Sequence, residues 1–536
     1  MHSYFIQYIF LILVILALVM IANKLRLAYP IVLVLGGLAL SFTTRFSNIT
    51  IDPDLVFFIF LPPLLYEAAW QVSWKEFWRW RRLITSFAFP IVIITSCVIA
   101  FSSYALIPGF TLALGFLLGG IISPPDAISA TTIMRRVNVP KSLVSIAEGE
   151  SLLNDASSLI VFRFALATVI TGQFHLQDAA LSFVIVIVMG IVVGLLVGLL
   201  FYGIHRFLPT TPSIEIVLTL VTPYCMYYVA EQFHFSGVLA VVTGGLLLSS
   251  KRQSLLNFRS RIEGVNVWTN LVFVLNGLVF LLIGLQLRSI TQQLGGISVV
   301  TAIGYGLIIS LVLIASRMVF TLGASLFTTF MSRFITVADA HPGWRNPIIF
   351  GWSGMRGVVS LAAALSIPLA VSEGQPFPYR NLILFIVFVV ILVTLVFQGL
   401  TLPWVIRRVK PEDKYTTIPE EQQEQIIQKK LAIVSLQFLE SKYGEERDHN
   451  EHLRNLIDRL QSDLRSLDGE ANHTSENSLA EYEEVYLAVL DRRRRLLNDM
   501  NRSAEFDEDL IRKYLSLIDV EELEIREKNS QGGNSL

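Results

Sequence analysis

An all-α polytopic membrane protein with a helical, water-facing C-terminal tail is the fold class this sequence predicts. Three observations carry the prediction. Apolar residues make up 53% of the 536-residue chain and charged ones only 16%, against roughly 25% charge in a water-soluble globule. The apolar residues gather into thirteen stretches, most of them near the ~20 residues a helix needs to cross a bilayer. The charge is also divided along the chain. Residues 1–410 hold 14 Asp and Glu against 25 Lys and Arg, a formal +11, while residues 411–536 hold 29 against 17, a formal −12. A lipid-embedded domain at 1–410 and a cytoplasmic helical tail at 411–536 follow from that division.

In chain order the stretches are 4–22, 28–44, 52–70, 83–107, 111–133, 145–170, 179–202, 213–231, 236–250, 265–287, 297–325, 346–370 and 381–405. No basic region precedes the first, and further spans follow at once, so it is read as a membrane helix rather than a leader. Basic clusters follow the odd-numbered spans: Lys24 and Arg26, then Arg79 to Arg82, Arg135 to Lys141, His205 and Arg206, Lys251 to Arg261, Arg333 and Arg345, and Arg407 to Lys410. Basic loops stay on the cytoplasmic side, which places the N-terminus outside and the tail inside. An odd count leaves room for two inverted six-helix repeats joined by one linker span. In that layout, expected of a secondary transporter, broken helices from each repeat meet near the midplane.

The breaks are legible as helix-weakening residues next to a charge. Pro124-Pro125 precede Asp126 in span five, and GWSGMRG at 351–357 surrounds Arg356 in span twelve. In span three Pro62-Pro63 precede Glu67, and Trp70, Trp74, Trp78 and Trp80 form an interfacial belt at its end. Proline removes a backbone donor and disturbs the ladder, leaving carbonyls free for other partners.

Span six opens with the densest group of acids. Glu150 stands four residues before Asn154 and Ser151 four before Asp155, so each pair stacks along one helical face. An ionisable group at membrane depth is costly and usually lines a water-filled route or binds a charged species. Carboxylate and hydroxyl oxygens suit a hard monovalent cation. A carboxylate holds that cation or a proton, not both, and such competition couples the two flows. Asp155 is assigned this role, with Ser151 and Asp126 completing the oxygen shell. The alternative for Asp155 is a buried ion pair with Arg163 or Arg356. Glu150 serves either the ion route or helix packing, and Asn154 either donates to a nearby carboxylate or bridges the broken helices. Arg356 needs a carboxylate or several carbonyls, and Glu67 and Asp126 are its candidate carboxylates. Glu231 with Arg317 is a further candidate pair, and Arg163 is placed to guard the outer end of the route.

Other chemistry finds little support. Cys97 and Cys225 sit singly in apolar runs, as buried thiols do. No Cys/His metal motif or phosphate-binding loop is present, so neither a cofactor nor nucleotide-driven transport is expected. The tail places Leu and Ile at helical spacing in 420–444 and 453–467, with two more helical stretches near 479–499 and 505–527 around a polar break at 468–478. Asn472-His473-Thr474 matches a glycosylation pattern only formally, on the cytoplasmic side. The run Arg492 to Arg495 finds partners in nearby acids or lipid heads; no nucleic acid is expected.

Four motifs, in order, resemble the cation:proton antiporter 1 family in its bacterial sodium/proton exchangers: FLPPLLYEAA at 60–69, SPPDA at 123–127, GESLLNDA at 149–156 and GMRGVVSLA at 354–362. The resemblance spans about residues 1–410. It implies that Asp155 is the essential cation/proton carboxylate, that Asn154 completes its Asn-Asp pair, and that Glu150 and Ser151 hold accessory positions. Asp126 is similar to the acid of the broken helix, and Arg356 to the basic residue of the glycine-rich helix. Also implied are a homodimer in a bacterial inner membrane, an elevator-like shift, and electroneutral exchange of one Na+ or Li+ for one proton. Two departures stand out: Pro125 replaces a Thr frequent in prokaryotic relatives, and Asn276 replaces a Glu of some animal members. The competing readings are a K+/H+ exchanger, a cation channel gated by the tail, and a membrane scaffold presenting residues 411–536. Truncation after Lys410 should leave a membrane domain that inserts and elutes as one species in detergent gel filtration.

Overall fold

The computed structural model describes residues 2–43, 56–137, 139–173, 176–292, 294, 297–334, 339, 343–372, 375–411, 420–443, 451–467, 486–497 and scattered positions within 515–525. These divide into two units, Met1–Asp413 and Lys414–Leu536. In the first, each predicted stretch contains helix among its described residues, the fifth and the twelfth in two pieces; residues 44 and 52–55 lie outside the described residues. Eight helices among the described residues are long and apolar enough to cross a membrane by themselves.

The helices are α1 (His2–Lys24), α2 (Tyr29–Ser41), α3 (Leu61–Gln71) and α4 (Trp74–Leu106). Then come α5 (Leu112–Ile122), α6 (Ala127–Arg136), α7 (Lys141–Thr171) and α8 (Leu176–Phe207). Next are α9 (Pro212–Gln232), α10 (Gly237–Ser250), α11 (Phe258–Leu285) and α12 (Val299–Met331). The unit closes with α13 (Arg345–Trp352), α14 (Val358–Leu365) and α15 (Arg380–Val409). A short antiparallel hairpin, Ala370–Ser372 with Gln375–Pro376, departs from the all-helical expectation.

Two local readings change. Pro62 and Pro63 start a helix rather than break one: they occupy the first turn of α3, where a missing N–H has no partner to lose, behind a π-helical turn at Val56–Phe60. Span four begins earlier than hydropathy suggests. Ser73 accepts from the Glu76 N–H and caps a helix that carries the Trp74, Trp78 and Trp80 belt straight into the apolar stretch, with Pro90 absorbed in a second π-helical turn at Phe87–Ile91.

Packing puts α7 between two apolar cores. One core joins α2, α5, α11, α12 and α15 and takes Leu143 and Phe162 from α7. The other joins α3, α8, α9 and α10 and takes Leu152 and Ala156. The acidic segment of α7 therefore lies where the two cores meet. Close helix approach is arranged by small residues. A Cβ on Gly37 of α2 or Gly284 of α11 would strike the backbone of the facing helix. Leu196, Leu199 and Leu200 of α8 are exposed, as side chains toward lipid would be.

In the second unit the helices Glu420–Tyr443 and Glu451–Leu467 pack together, and a further helix covers 486–497. Ala432, Leu439, Ile457, Leu490 and Ile518 are buried. The basic run meets acids: Arg493 pairs with Glu521 at 3.3 Å, Arg494 with Glu522 at 2.6 Å and Arg495 with Asp491 at 2.5 Å. The polar break at 468–478, with Asn472-His473-Thr474, lies outside the described residues.

Candidate functional site

Two interruptions face each other in the first unit. Pro124 and Pro125 cannot donate to a helical ladder, so α5 ends at Ile122 and α6 begins only at Ala127. Residues 353–357 likewise separate α13 from α14. The breaks are tied directly: the Asp126 N–H donates to the Met355 carbonyl at 2.7 Å.

Arg356 closes this junction. Its Nε donates to the Ile122 carbonyl at 2.7 Å, its Nη2 to the Ser123 carbonyl at 3.0 Å, and its Nη1 to the Gly354 carbonyl. Its own N–H donates to Thr394 Oγ1 at 3.1 Å, on a π-helical turn of α15. The carbonyls left over at a helix C-terminus carry partial negative charge, so they substitute for a counter-ion. The carboxylates of Glu67 and Asp126 are not its partners. Glu67 accepts from Gln71 Nε2. Asp126 caps α6, accepting from the Ile128 N–H at 3.0 Å and from Ser129 Oγ at 3.3 Å. The Asp126 carboxylate fills the space a Cβ on residue 357 would need, so any larger residue there would displace it.

The acidic face of α7 divides in two. Glu150 turns away and forms a bidentate pair with Arg317 of α12, at 2.9 and 2.8 Å, with side-chain exposures of 2% and 5%. The guanidinium also lies 5.3 Å from the Phe350 ring centroid. Glu231 was the partner expected for Arg317; it instead bonds Arg163 at 2.7 Å. Glu148 pairs with Arg135 at 2.7 Å. Asn154 bridges to the first break, its Nδ2 donating to the Pro125 carbonyl at 3.0 Å. Ser151 Oγ accepts from the Ala127 N–H at 3.3 Å.

Asp155 is left over. It is 7% exposed, and among the described residues its carboxylate has no hydrogen-bond or ion-pair partner, from Arg163, Arg356 or any other. It lies on the wall of a 260 Å³ cavity with Glu67, Asp126, Ser151, Asn276 and Ser360, and that wall extends to Glu148 and Arg135. Beyond Asp155 on α7, Ser158 and Phe162 are buried. Glu67, Asp126, Ser151, Asn154, Asp155 and Arg356 thus collect around the breaks and the cavity, while Glu150 is taken up by Arg317, whose side chain packs against Gly354. Thr394 carried no signal, being one hydroxyl in an apolar helix. Arg317 did carry one, a lone cation inside a long apolar helix, but its partner lies 167 residues away.

Interrupted helices meeting beside a buried acidic cavity, inside a bundle of apolar helices, define a polytopic secondary transporter. More particularly, the chain belongs to the sodium/hydrogen exchanger family, whose transmembrane model ("Sodium/hydrogen exchanger, transmembrane") matches residues 10–408. It is 32% identical over 479 residues to the "Sodium, potassium, lithium and rubidium/H(+) antiporter" of Bacillus pumilus (strain SAFR-032), covering 86% of this chain and 69% of that one. It is 30% identical over 516 residues to the "Uncharacterized Na(+)/H(+) exchanger Rv2287" of Mycobacterium tuberculosis (strain ATCC 25618 / H37Rv), covering 94% and 93%. The sodium proton antiporter MjNhaP1 from Methanocaldococcus jannaschii shares the fold, with a TM-score of 0.60 at 19% identity over 76% of this chain and 100% of that one. The family is one of transporters exchanging sodium for protons.

The Glu150–Arg317 pair is fully enclosed, so removing one partner strands a buried charge at a cost of about 3–5 kcal/mol. Glu150→Gln should sharply lower the thermal unfolding temperature in detergent. The double replacement Glu150→Met with Arg317→Met should recover most of the loss.

Proposed function

We propose that this protein exchanges Na+ or Li+ for H+ at Asp155, one for one and without net charge movement. The observation that carries the reading is a buried carboxylate, without a partner among the described residues, on the wall of a cavity that reaches the exposed Arg135 side chain. Asp126, Ser151 and the carbonyls near the break supply further oxygens, with Glu67 and Asn154 beside them. The cation and the proton each neutralise Asp155, and each is released as the other binds. On the orientation predicted by the basic loops, the Arg135 end is cytoplasmic, as is the tail, and the described conformation opens inward. Alternating access then comes from an elevator-like movement of the helix bundle bearing the site, within a homodimer in a bacterial inner membrane. The family resemblance supports those last features.

A broader substrate range is the second reading. The Bacillus pumilus relative is named for sodium, potassium, lithium and rubidium, so K+/H+ exchange at the same carboxylate belongs in the same experiment.

Purified protein in vesicles, given Na+, Li+ or K+ gradients while internal pH is followed, should exchange cations for protons. Asp155→Asn should abolish exchange, and full activity in that variant would remove the assignment. Because a cation binds only the deprotonated carboxylate, half-saturating Na+ should rise as pH falls, approaching tenfold per unit once protonation dominates. One net charge moved per cycle would shift the equilibrium gradient by roughly 50-fold at 100 mV; electroneutral exchange should leave it unchanged when valinomycin and K+ set the potential.

A further inference from the structure

Asn276 of α11 is 4% exposed, and its Oδ1 is buried without a hydrogen-bond partner among the described residues. The other buried polar atoms in that condition belong to Asn154, His205, Ser260, Arg317 and Gln398. None of those residues lines the cavity that holds Asp155, whereas Asn276 does. Leaving an amide oxygen buried and unpaired is unfavourable, and a leucine would avoid the penalty. Packing gives no reason for the amide, since Leu275, Val279 and Phe280 on the same helix are buried apolar residues. Nothing among the described residues ties the group down. A half turn about its terminal bond exchanges oxygen and nitrogen, so either can face the cavity.

A neutral oxygen at this wall has a specific chemical consequence. A carboxylate there would strengthen proton binding along with cation binding. An amide oxygen does not take up a proton in this range, so it favours the cation alone. The number and field strength of such ligands also discriminate between monovalent cations.

We propose that Asn276 Oδ1 is a ligand of the transported cation and sets the preference among Li+, Na+ and K+. The inference rests on the reading of the Asp155 cavity as the exchange site. Its test compares wild type, Asn276→Leu, Asn276→Thr and Asp155→Asn in vesicles, with each cation titrated separately. Asn276→Leu should raise half-saturating Na+ about tenfold and change the ratio between cations at least threefold, with the maximum rate within twofold of wild type. Asn276→Thr keeps an oxygen on a shorter side chain and should show a smaller shift in the same direction. A packing role would instead lower the maximum rates for all three cations together and leave the ratios of half-saturating concentrations unchanged, which overturns the proposal. Should Asn276→Leu fail to fold, the ratios in Asn276→Thr decide alone: a shift supports the ligand role and unchanged ratios overturn it. Failure of the underlying reading looks different, because wild type would then show no cation-dependent proton movement or Asp155→Asn would remain active.

Discussion

Arg356 is a permanent cation, 1% exposed, held by the carbonyls of Ile122, Ser123 and Gly354, with no carboxylate hydrogen-bonded to it among the described residues. This arrangement governs the rest of the site. An interrupted helix leaves unpaired carbonyls that would be costly at membrane depth, and an enclosed guanidinium is equally costly without partners. Each deficit answers the other. The same contacts join the two breaks, and the Asp126–Met355 backbone bond adds a second tie. Had Arg356 taken Asp126 or Asp155 as its counter-ion, the carboxylates at the cavity would have been neutralised by the protein itself.

The remaining charges are sorted by the same logic. Glu150 is matched by Arg317, Glu148 by Arg135 and Glu231 by Arg163. Asp126 is engaged by the start of α6, and Glu67 by Gln71. Asp155 stands apart from all of these, within reach of a cavity and without a protein partner among the described residues. A group so placed is available to a mobile charge, whereas its neighbours serve the architecture first. Sequence spacing put Glu150 and Asp155 five residues apart on α7, about 140° apart around its axis, but could not say what each would meet. What separates their roles is which core each side of the helix meets.

The sodium/hydrogen exchanger fold gives these contacts their use. α7 lies between two apolar cores, and the helix breaks sit against its acidic segment, so a change in how the cores meet would reach Asp155 directly. Close crossings such as Gly37 against Gly284 keep the surrounding helices tightly apposed.

Much of this was legible in the letters. Long apolar stretches read as membrane helices, because in lipid a single segment must satisfy its backbone polar groups internally. Pro124-Pro125 had to disturb a helical ladder, and a run as acidic as Glu148 to Asp155 had to have a function or partners. Those are local consequences of composition and covalent structure, so the sequence by itself determined them. Pairing is not local. Arg317 lies on a different helix from Glu150, Arg163 on a different helix from Glu231, and Thr394, on a π-helical turn of α15, lies 38 residues from Arg356. Whether Arg356 met acids or carbonyls depended on which helix end lay within a few ångströms of it. Tertiary structure alone decided that, because the energy of a buried charge depends on its nearest neighbours in space, and sequence distance does not record them.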